Sequence, residues 1–235
     1  MADHAGRTAQ VPELAQPGLR LLFLGDSALT LELPEENAER VLGLAAALDR
    51  EIAAGAFPGA GETVPAIRSV TLHFDPLAAD PESWLDRLKD IAAEMPTARP
   101  DPREWTLPVC FDNDFGPDLA EISAKPADFI EALTAQPVTV KMLGFLPGFA
   151  YMGDVPDLCR APRRKTPRSV VPAGSVAVAG PMCAAYPWTS PGGWNLVGRT
   201  PAKLFDPANE KRPALLAPGD IVRWKAISRA EFDRS

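Results

Sequence analysis

Short blocks of alternating apolar and polar positions run along this chain, and they predict its elements. Leu19 to Leu24 is an apolar run fit for a buried strand. Gly25-Asp26-Ser27 is a turn signal, and Ala28 to Leu33 alternates as a half-buried strand does, so the two form a hairpin. Pro34 opens a stretch with acids in its first turn and Gly55 after its last, which marks a helix. Its inner face carries Val41, Leu44, Ala45, Leu48 and Ile52. Phe57 to Thr63 reads as a Gly-rich loop, and Ser69 to Phe74 alternates as a strand ended by Asp75-Pro76. Pro81 to Glu94 is amphipathic, with Trp84, Leu85, Leu88 and Ile91 inside. The first half is therefore ββαβα, an α/β sandwich over 18–95, preceded by a polar tail at 1–17.

Residues 96–103 carry three prolines and no apolar period, as a domain linker does. Beyond it the elements shorten. Strands are predicted at Glu104 to Cys110 and Val138 to Leu143, with a turn cluster from Phe111 to Asp118 between them. Helices follow that cluster at Leu119 to Ser123 and Pro126 to Thr134. Further strands fall at Val176 to Ala179, Ala184 to Tyr186, Asn195 to Val197 and Ile221 to Lys225. Short strands with tight Gly and Pro turns predict a compact β-barrel over 104–235. The fold class is α+β, a sandwich followed by a barrel.

Composition changes this picture in a few places. The 235 residues are 46% apolar and 23% charged, ordinary for a globular protein, with 26 prolines spread along the chain. Three cysteines with no CxxC spacing argue against a disulfide framework and for a reducing compartment, so cytoplasm is the expected location. Only His4 and His73 are available to a zinc site or a Ser-His-Asp triad, and His73 reads as a packing or capping residue. No metal site is expected. The N-terminus has no signal-peptide core, and no run of about 18 apolar residues predicts a membrane span. The net charge of −7 argues against nucleic-acid binding.

The charge is unevenly placed. Between Asp157 and Asp206 there is no acid, yet Arg160, Arg163, Arg164, Lys165, Arg168, Arg199 and Lys203 all lie there. Without these seven cations the net charge of −7 becomes −14. This bias favours a small anionic ligand or an acidic partner surface. Pro162 and Pro167 bias Arg163 to Arg168 towards extended backbone, which puts Arg164 and Arg168 on one face. Such a face either holds a ligand's oxygens or pairs with acids elsewhere in the chain. Ser190-Pro191-Gly192-Gly193-Trp194 reads either as a hairpin turn or as an anion nest of backbone N–H groups, with Arg199 and Thr200 close behind. Phe145, Phe149, Tyr151 and Trp194 form either core or a pocket wall. Ser175 and Ser190 carry hydroxyls without a visible base, and Cys183 reads as a structural thiol. Asp114-Phe115-Gly116 spells a kinase triplet without the rest of the kinase signature, and there is no Walker loop, GxSxG or HExxH.

Three long motifs go further: GFLPGFAYMGDVP, RRKTPRSVVPAGSVAVAG and YPWTSPGGWNLVGRTPAKLFDP. They resemble the allophanate hydrolase subunit 1 family. It is also known as the B subunit of 5-oxoprolinase, as a sporulation kinase-inhibitor family, and as carboxyltransferase subdomain C and D. GDSALTLEL, RSVTLHFDP and FGPDL look like its weaker motifs. The resemblance implies an N-terminal α/β domain and a cyclophilin-like barrel. It implies one part of a hydrolase complex that cleaves 5-oxo-L-proline to L-glutamate with ATP. The implied partners are a related second subunit, the C component, and a third, the A component. Related branches imply two alternatives, inhibition of a sensor histidine kinase and a part in a biotin-dependent carboxyltransferase. Within that resemblance, Arg163, Arg164, Arg168 and Arg199 are expected to hold carboxylate or phosphate oxygens. Ser175, Ser190, Gly192, Gly193 and Thr200 are expected to add hydroxyls and amides. Members commonly carry a His before the GF-PGF motif, whereas FIEALTAQPVTVKMLGF here has none.

Overall fold

In the computed structural model, residues 19–94 and 102–235 are described. The tail at 1–17 and most of the linker at 96–103 lie outside them. Contacts divide the chain into two units, Met1–Pro100 and Asp101–Ser235.

The first unit opens on the expected hairpin, β1 (Arg20–Leu24) and β2 (Ala28–Glu32), with Gly25 supplying the left-handed turn at φ 64°. Helix α1 (Ala38–Ala53) follows, its first turn capped by Asn37, whose Oδ1 accepts from the Arg40 amide at 3.0 Å. Strands β3 (Ala60–Pro65) and β4 (Ser69–Phe74) come next, and a 3₁₀ turn at Pro81–Trp84 leads into α2 (Leu85–Glu94). The sheet order is β1-β2-β4-β3, antiparallel throughout. Leu21, Leu29, Leu31, Val70, Leu72 and Phe74 bury one face against Val41, Leu44, Leu48, Leu88 and Ile91. Trp84 fills the join, edge-on to Phe57 and Phe74 at 5.6 and 5.5 Å. The unit is thus ββαββα, which corrects the expected ββαβα. The segment that reads as a Gly-rich loop runs into the edge strand β3, whose register shifts between Ala60 and Thr63 and so interrupts the alternation. His73 is exposed on β4, between the buried Leu72 and Phe74, so it is not the core-packing residue the sequence suggests.

In the second unit, β5 (Glu104–Cys110) is followed by two helices, α3 (Leu119–Ile122) and α4 (Pro126–Ala135). The strands are then β6 (Val138–Leu143), β7 (Ala150–Gly153), β8 (Arg168–Val171), β9 (Ser175–Ala179), β10 (Met182–Ala185), β11 (Ser190–Gly192), β12 (Asn195–Arg199) and β13 (Ile221–Ile227). A short helix α5 (Arg229–Phe232) closes the chain. Seven strands form a closed barrel in the order β10-β7-β6-β13-β5-β12-β9. The pairing is antiparallel except between β13 and β5, which run parallel from Ile221 opposite Glu104 to Ile227 opposite Cys110. Closure removes every sheet edge within those seven strands.

The site depends on a second layer outside this barrel. β9 reads Ser-Val-Ala-Val-Ala and is buried along its whole length. Val176 and Val178 enter the barrel core with Val109, Val140, Met152, Val197 and Trp224. Ala177 and Ala179 face outward into another cluster with Phe149, Val171, Ala184, Tyr186, Trp194 and Leu196. The large side chains fill the barrel, and the small ones let another layer sit against its wall. That layer is the two-stranded ribbon β8-β11, paired Ser190 to Val171 and Gly192 to Arg168.

All three cysteines are buried and unbonded. Burial pushes the Cys159 thiol up to about 11 and the Cys183 thiol up to about 12. Both are therefore uncharged near neutrality, and only the thiolate alkylates. Iodoacetamide at pH 8 is expected to leave both unmodified in the folded protein and to modify both after unfolding in guanidinium. Intact and peptide mass spectrometry reads the difference.

Candidate functional site

The acid-free segment supplies barrel strands β9, β10 and β12 as well as the ribbon β8-β11, and one carboxylate ties its arginine run to the barrel wall. Asp118 lies at the end of the Phe111–Asp118 turn and is 2% exposed. Its Oδ1 accepts from Arg164 Nη1 at 2.8 Å and from Arg168 Nη2 at 2.6 Å. Its Oδ2 accepts from the Leu196 amide at 2.7 Å, and its own amide donates to the Leu196 carbonyl at 3.2 Å. The acid thus acts as a strand partner to β12 and as counter-ion to two guanidiniums. Arg164 and Arg168 do share a face, as their spacing predicts, and an acid of the same chain meets that face. In sequence Asp118 reads only as the end of a turn, and its role there is invisible.

Three cavities surround this anchor. The first, of about 230 Å³, lies over the second layer and is lined by Phe145, Phe149, Tyr151, Tyr186, Trp194, Arg163, Pro167, Pro191, Gly192 and Gly193. All four expected wall residues meet here. Phe149 packs edge-on to Tyr151, Tyr186 and Trp194, with centroids 4.9, 5.1 and 6.0 Å apart. Arg163 sits over the Trp194 ring at 6.0 Å and brings the cavity's one cation. Burial raises the phenols of Tyr151 and Tyr186 above their ordinary value, so both are protonated donors at neutral pH. Phe145 holds a left-handed backbone at φ 67°, unusual for an aromatic residue, and presents a largely exposed ring at the cavity.

The second cavity is a groove of about 650 Å³ lined by Arg160, Arg163, Arg164 and Lys165, with Glu121 and Asn195. Arg163 belongs to both. The third, of about 200 Å³, is lined by Arg168, Ser175, Arg199, Phe115 and Asp114 among others.

The expected residues therefore divide. Arg163 goes to the aromatic cavity and the groove, Arg164 to the groove, and Arg168, Ser175 and Arg199 to the third cavity. Gly192 and Gly193 line the aromatic cavity, but not as a nest or a hairpin turn. Neither has positive φ, and Gly192 lies in strand β11. A Cβ on Gly192 would sit 2.9 Å from Tyr186 Cζ, so the glycine makes room for a buried ring. The Gly193 carbonyl accepts from the Arg164 amide at 2.9 Å. Ser190 donates its hydroxyl to the Pro191 carbonyl at 3.1 Å. Thr200 is 2% exposed, with its amide donated to Gly174 and its Oγ1 accepting from the Ala202 amide. It lines none of the three cavities.

Residues 19–216 match the family model described as carboxyltransferase domain, subdomain C and D. The chain belongs to this family. It is 37% identical over 227 residues to the B subunit of 5-oxoprolinase from Bacillus subtilis (strain 168), covering 89% of this chain and 93% of that protein. It is 35% identical over 217 residues to the protein of the same name in Escherichia coli O157:H7, covering 87% and 94%. The crystal structure of Kluyveromyces lactis urea carboxylase superposes with a TM-score of 0.74 at 20% identity, over 96% of this chain and 23% of that one. That last likeness concerns the fold alone. Among the described residues, no helix is long and apolar enough to cross a membrane.

Proposed function

We propose that this family member is the B subunit of an ATP-dependent 5-oxoprolinase-type amidohydrolase. It works with a related C subunit and a third, A-type subunit to open 5-oxo-L-proline to L-glutamate. The lactam C–N bond breaks, the nitrogen leaves as the amine and an oxygen from water completes the new carboxylate, while a second water is consumed as ATP is cleaved to ADP and phosphate. The observation that carries the reading is the aromatic cavity with its single guanidinium. 5-Oxoproline is a small, flat ring with one carboxylate. Aromatic faces suit the ring, Arg163 suits the carboxylate, and the phenols of Tyr151 and Tyr186 suit the lactam carbonyl as donors. The names and near-complete overlap of the Bacillus subtilis and Escherichia coli relatives support the same reading.

None of the ten residues lining that cavity, all among the described residues, accepts a proton near neutrality. A water molecule must nonetheless lose protons as it attacks. We place the base outside this cavity, on a partner subunit or on phosphate, in keeping with a subunit that works in a complex. The cations around the groove raise the local concentration of the anionic substrate and of ATP.

Co-expression with candidate A and C subunits, followed by assay of glutamate from 5-oxoproline and ATP, tests the proposal. An assembled complex that releases no glutamate overturns it. Arg163 is exposed and makes no ion pair among the described residues, so Arg163→Ala leaves the fold intact. Loss of one charge-assisted contact to the carboxylate is expected to raise KM about tenfold or more. Arg163→Lys is expected to recover only part of that, because an ammonium cannot offer the bidentate guanidinium fork to the carboxylate.

The carboxyltransferase description of the family model favours one second reading, transfer of a biotin-borne carboxylate. In that case activity requires a biotinylated partner. Avidin then abolishes turnover, whereas the 5-oxoprolinase reaction is indifferent to it.

A further inference from the structure

The third cavity has donors that neither the barrel nor the Asp118 anchor satisfies in full. Arg168 gives Nη2 to Asp118, while its Nη1 is buried with no hydrogen-bond partner. Arg199 gives Nε to the Ala173 carbonyl at 2.8 Å and makes no ion pair among the described residues. Ser175 is 2% exposed, and its hydroxyl has no hydrogen-bond partner among the described residues. Ser175 and Arg199 are direct cross-strand partners on β9 and β12, so their side chains leave the same face of the sheet. All three residues line one cavity of about 200 Å³. Buried donors are nearly always satisfied, so an unpaired one with two more donors around the same small cavity points to a ligand that supplies acceptors.

Its walls fix the rest of the geometry. The Phe115 ring lies 5.5 Å from the Arg199 guanidinium and 4.4 Å from that of Arg229, within cation–π reach of both. Gly174, at φ 80°, passes close beneath the Arg199 side chain, and a Cβ there would lie 3.4 Å from Arg199 Cγ. One acid also lines the cavity. Asp114 is 84% exposed and lies 3.8 Å from Arg229, so its charge is largely screened and partly offset. Two guanidiniums therefore dominate the interior.

We propose that this cavity is a binding site for a phosphate dianion, separate from the aromatic cavity. Arg199 has no counter-ion among the described residues, and Arg168 shares the single charge of Asp118 with Arg164, so positive charge remains in excess here and favours a dianion over a monoanion. Donors from two guanidiniums and a hydroxyl suit a tetrahedral oxyanion, whereas a carboxylate is satisfied by one fork. The volume admits a phosphate and excludes a whole nucleotide. The site stands without the 5-oxoprolinase reading, and under that reading its occupant is the phosphate released from ATP. Asp118 Oδ1 holds Arg168 on this side and Arg164 on the groove side, so the two anion surfaces share one counter-ion.

Isothermal titration of the full-length chain with inorganic phosphate, methyl phosphate and acetate at constant ionic strength tests the proposal. Saturable phosphate binding is expected, together with a rise in Tm that follows its concentration. Arg199→Gln is expected to weaken binding at least tenfold and Ser175→Ala several-fold. Arg199→Lys keeps the charge and covers the case in which Arg199→Gln fails to fold; it is expected to bind more weakly than the native chain. Tighter binding of methyl phosphate marks the site as a seat for the end of a larger ligand, and tighter binding of inorganic phosphate marks a free-phosphate site. Either result supports the proposal. It is overturned by no saturable phosphate binding, by equal affinity in native, Arg199→Gln and Ser175→Ala proteins, or by acetate binding as tightly as phosphate. A parallel titration with 5-oxoproline reads the aromatic cavity independently, so failure of either idea leaves the other standing.

Discussion

Asp118→Ala is expected to destabilise the barrel unit by about 3–5 kcal/mol, measured as a fall in the urea midpoint at constant slope. The wild-type carboxylate satisfies two guanidiniums and the Leu196 amide at once. Alanine removes none of those donors. It leaves the Leu196 amide buried without its partner and two cations facing each other around a small void. Arg164 and Arg168 retain 29% and 24% side-chain exposure, so water recovers part of the loss and the lower end of the range is expected. Asp118→Asn keeps the volume and one acceptor, and should cost less. Arg164→Ala alone should cost less again, because Arg168 still neutralises the acid. The Arg164 and Arg168 variants should therefore be non-additive, the second removal costing more than the first. A fall below about 1 kcal/mol for Asp118→Ala would mean that the arginines simply return to solvent, and the carboxylate would then not be the anchor.

That anchor shows where sequence reasoning reaches its limit. The cation cluster is visible because no acid lies within it. Its counter-ion is not, because Asp118 is 46 residues upstream of Arg164, on a segment whose local chemistry says turn. Asp118 stands just before α3, yet its side chain makes no capping bond and turns its carboxylate towards the arginines. FGPDL stands out only as a family-like motif. The usable signal is the arginine pair itself. Two guanidiniums on one face of a buried-looking ribbon require an acid from elsewhere, and the turn cluster is the nearest acid-rich candidate.

The barrel is more legible than the layer on its wall. The strands Glu104–Cys110 and Val138–Leu143 fall where the pattern puts them, since each runs for at least six residues. β8 and β11 have four and three residues, bounded or interrupted by Pro167, Pro172 and Pro191, which is too short for a period of two to declare itself. Ser-Val-Ala-Val-Ala reads as a strand, but nothing in five apolar or small residues says that its two faces meet different layers. The second face is knowable only once Phe149, Tyr186 and Trp194 are brought against it. The same tertiary fact explains Gly192. A glycine pair normally suggests a backbone turn, and here one of the two is dictated by the ring of a tyrosine six residues earlier.

Gly116→Ala is expected to destabilise the barrel unit by about 3 kcal/mol, the upper end of what overpacking commonly costs. Gly116 does not have positive φ, so backbone freedom is not its purpose. Its Cβ would lie 2.6 Å from the Val197 carbonyl carbon and 3.2 Å from the Gly198 amide nitrogen. Those atoms are backbone of β12, held in the closed barrel between β5 and β9, and cannot retreat. The 112–118 turn must move instead, and it carries Asp118 two residues away. The Asp118 to Leu196 pairing and the arginine contacts are then lost with the close approach that permits them. This mechanism makes a specific demand on a double-mutant cycle. If Gly116→Ala acts through Asp118, combining it with Asp118→Ala costs well under the sum of the two. Full additivity would separate the glycine from the anchor. Gly144→Ala is the control, since its Cβ would meet only Tyr151 Cε2 at an ordinary 3.6 Å, and it should leave the urea midpoint nearly unchanged.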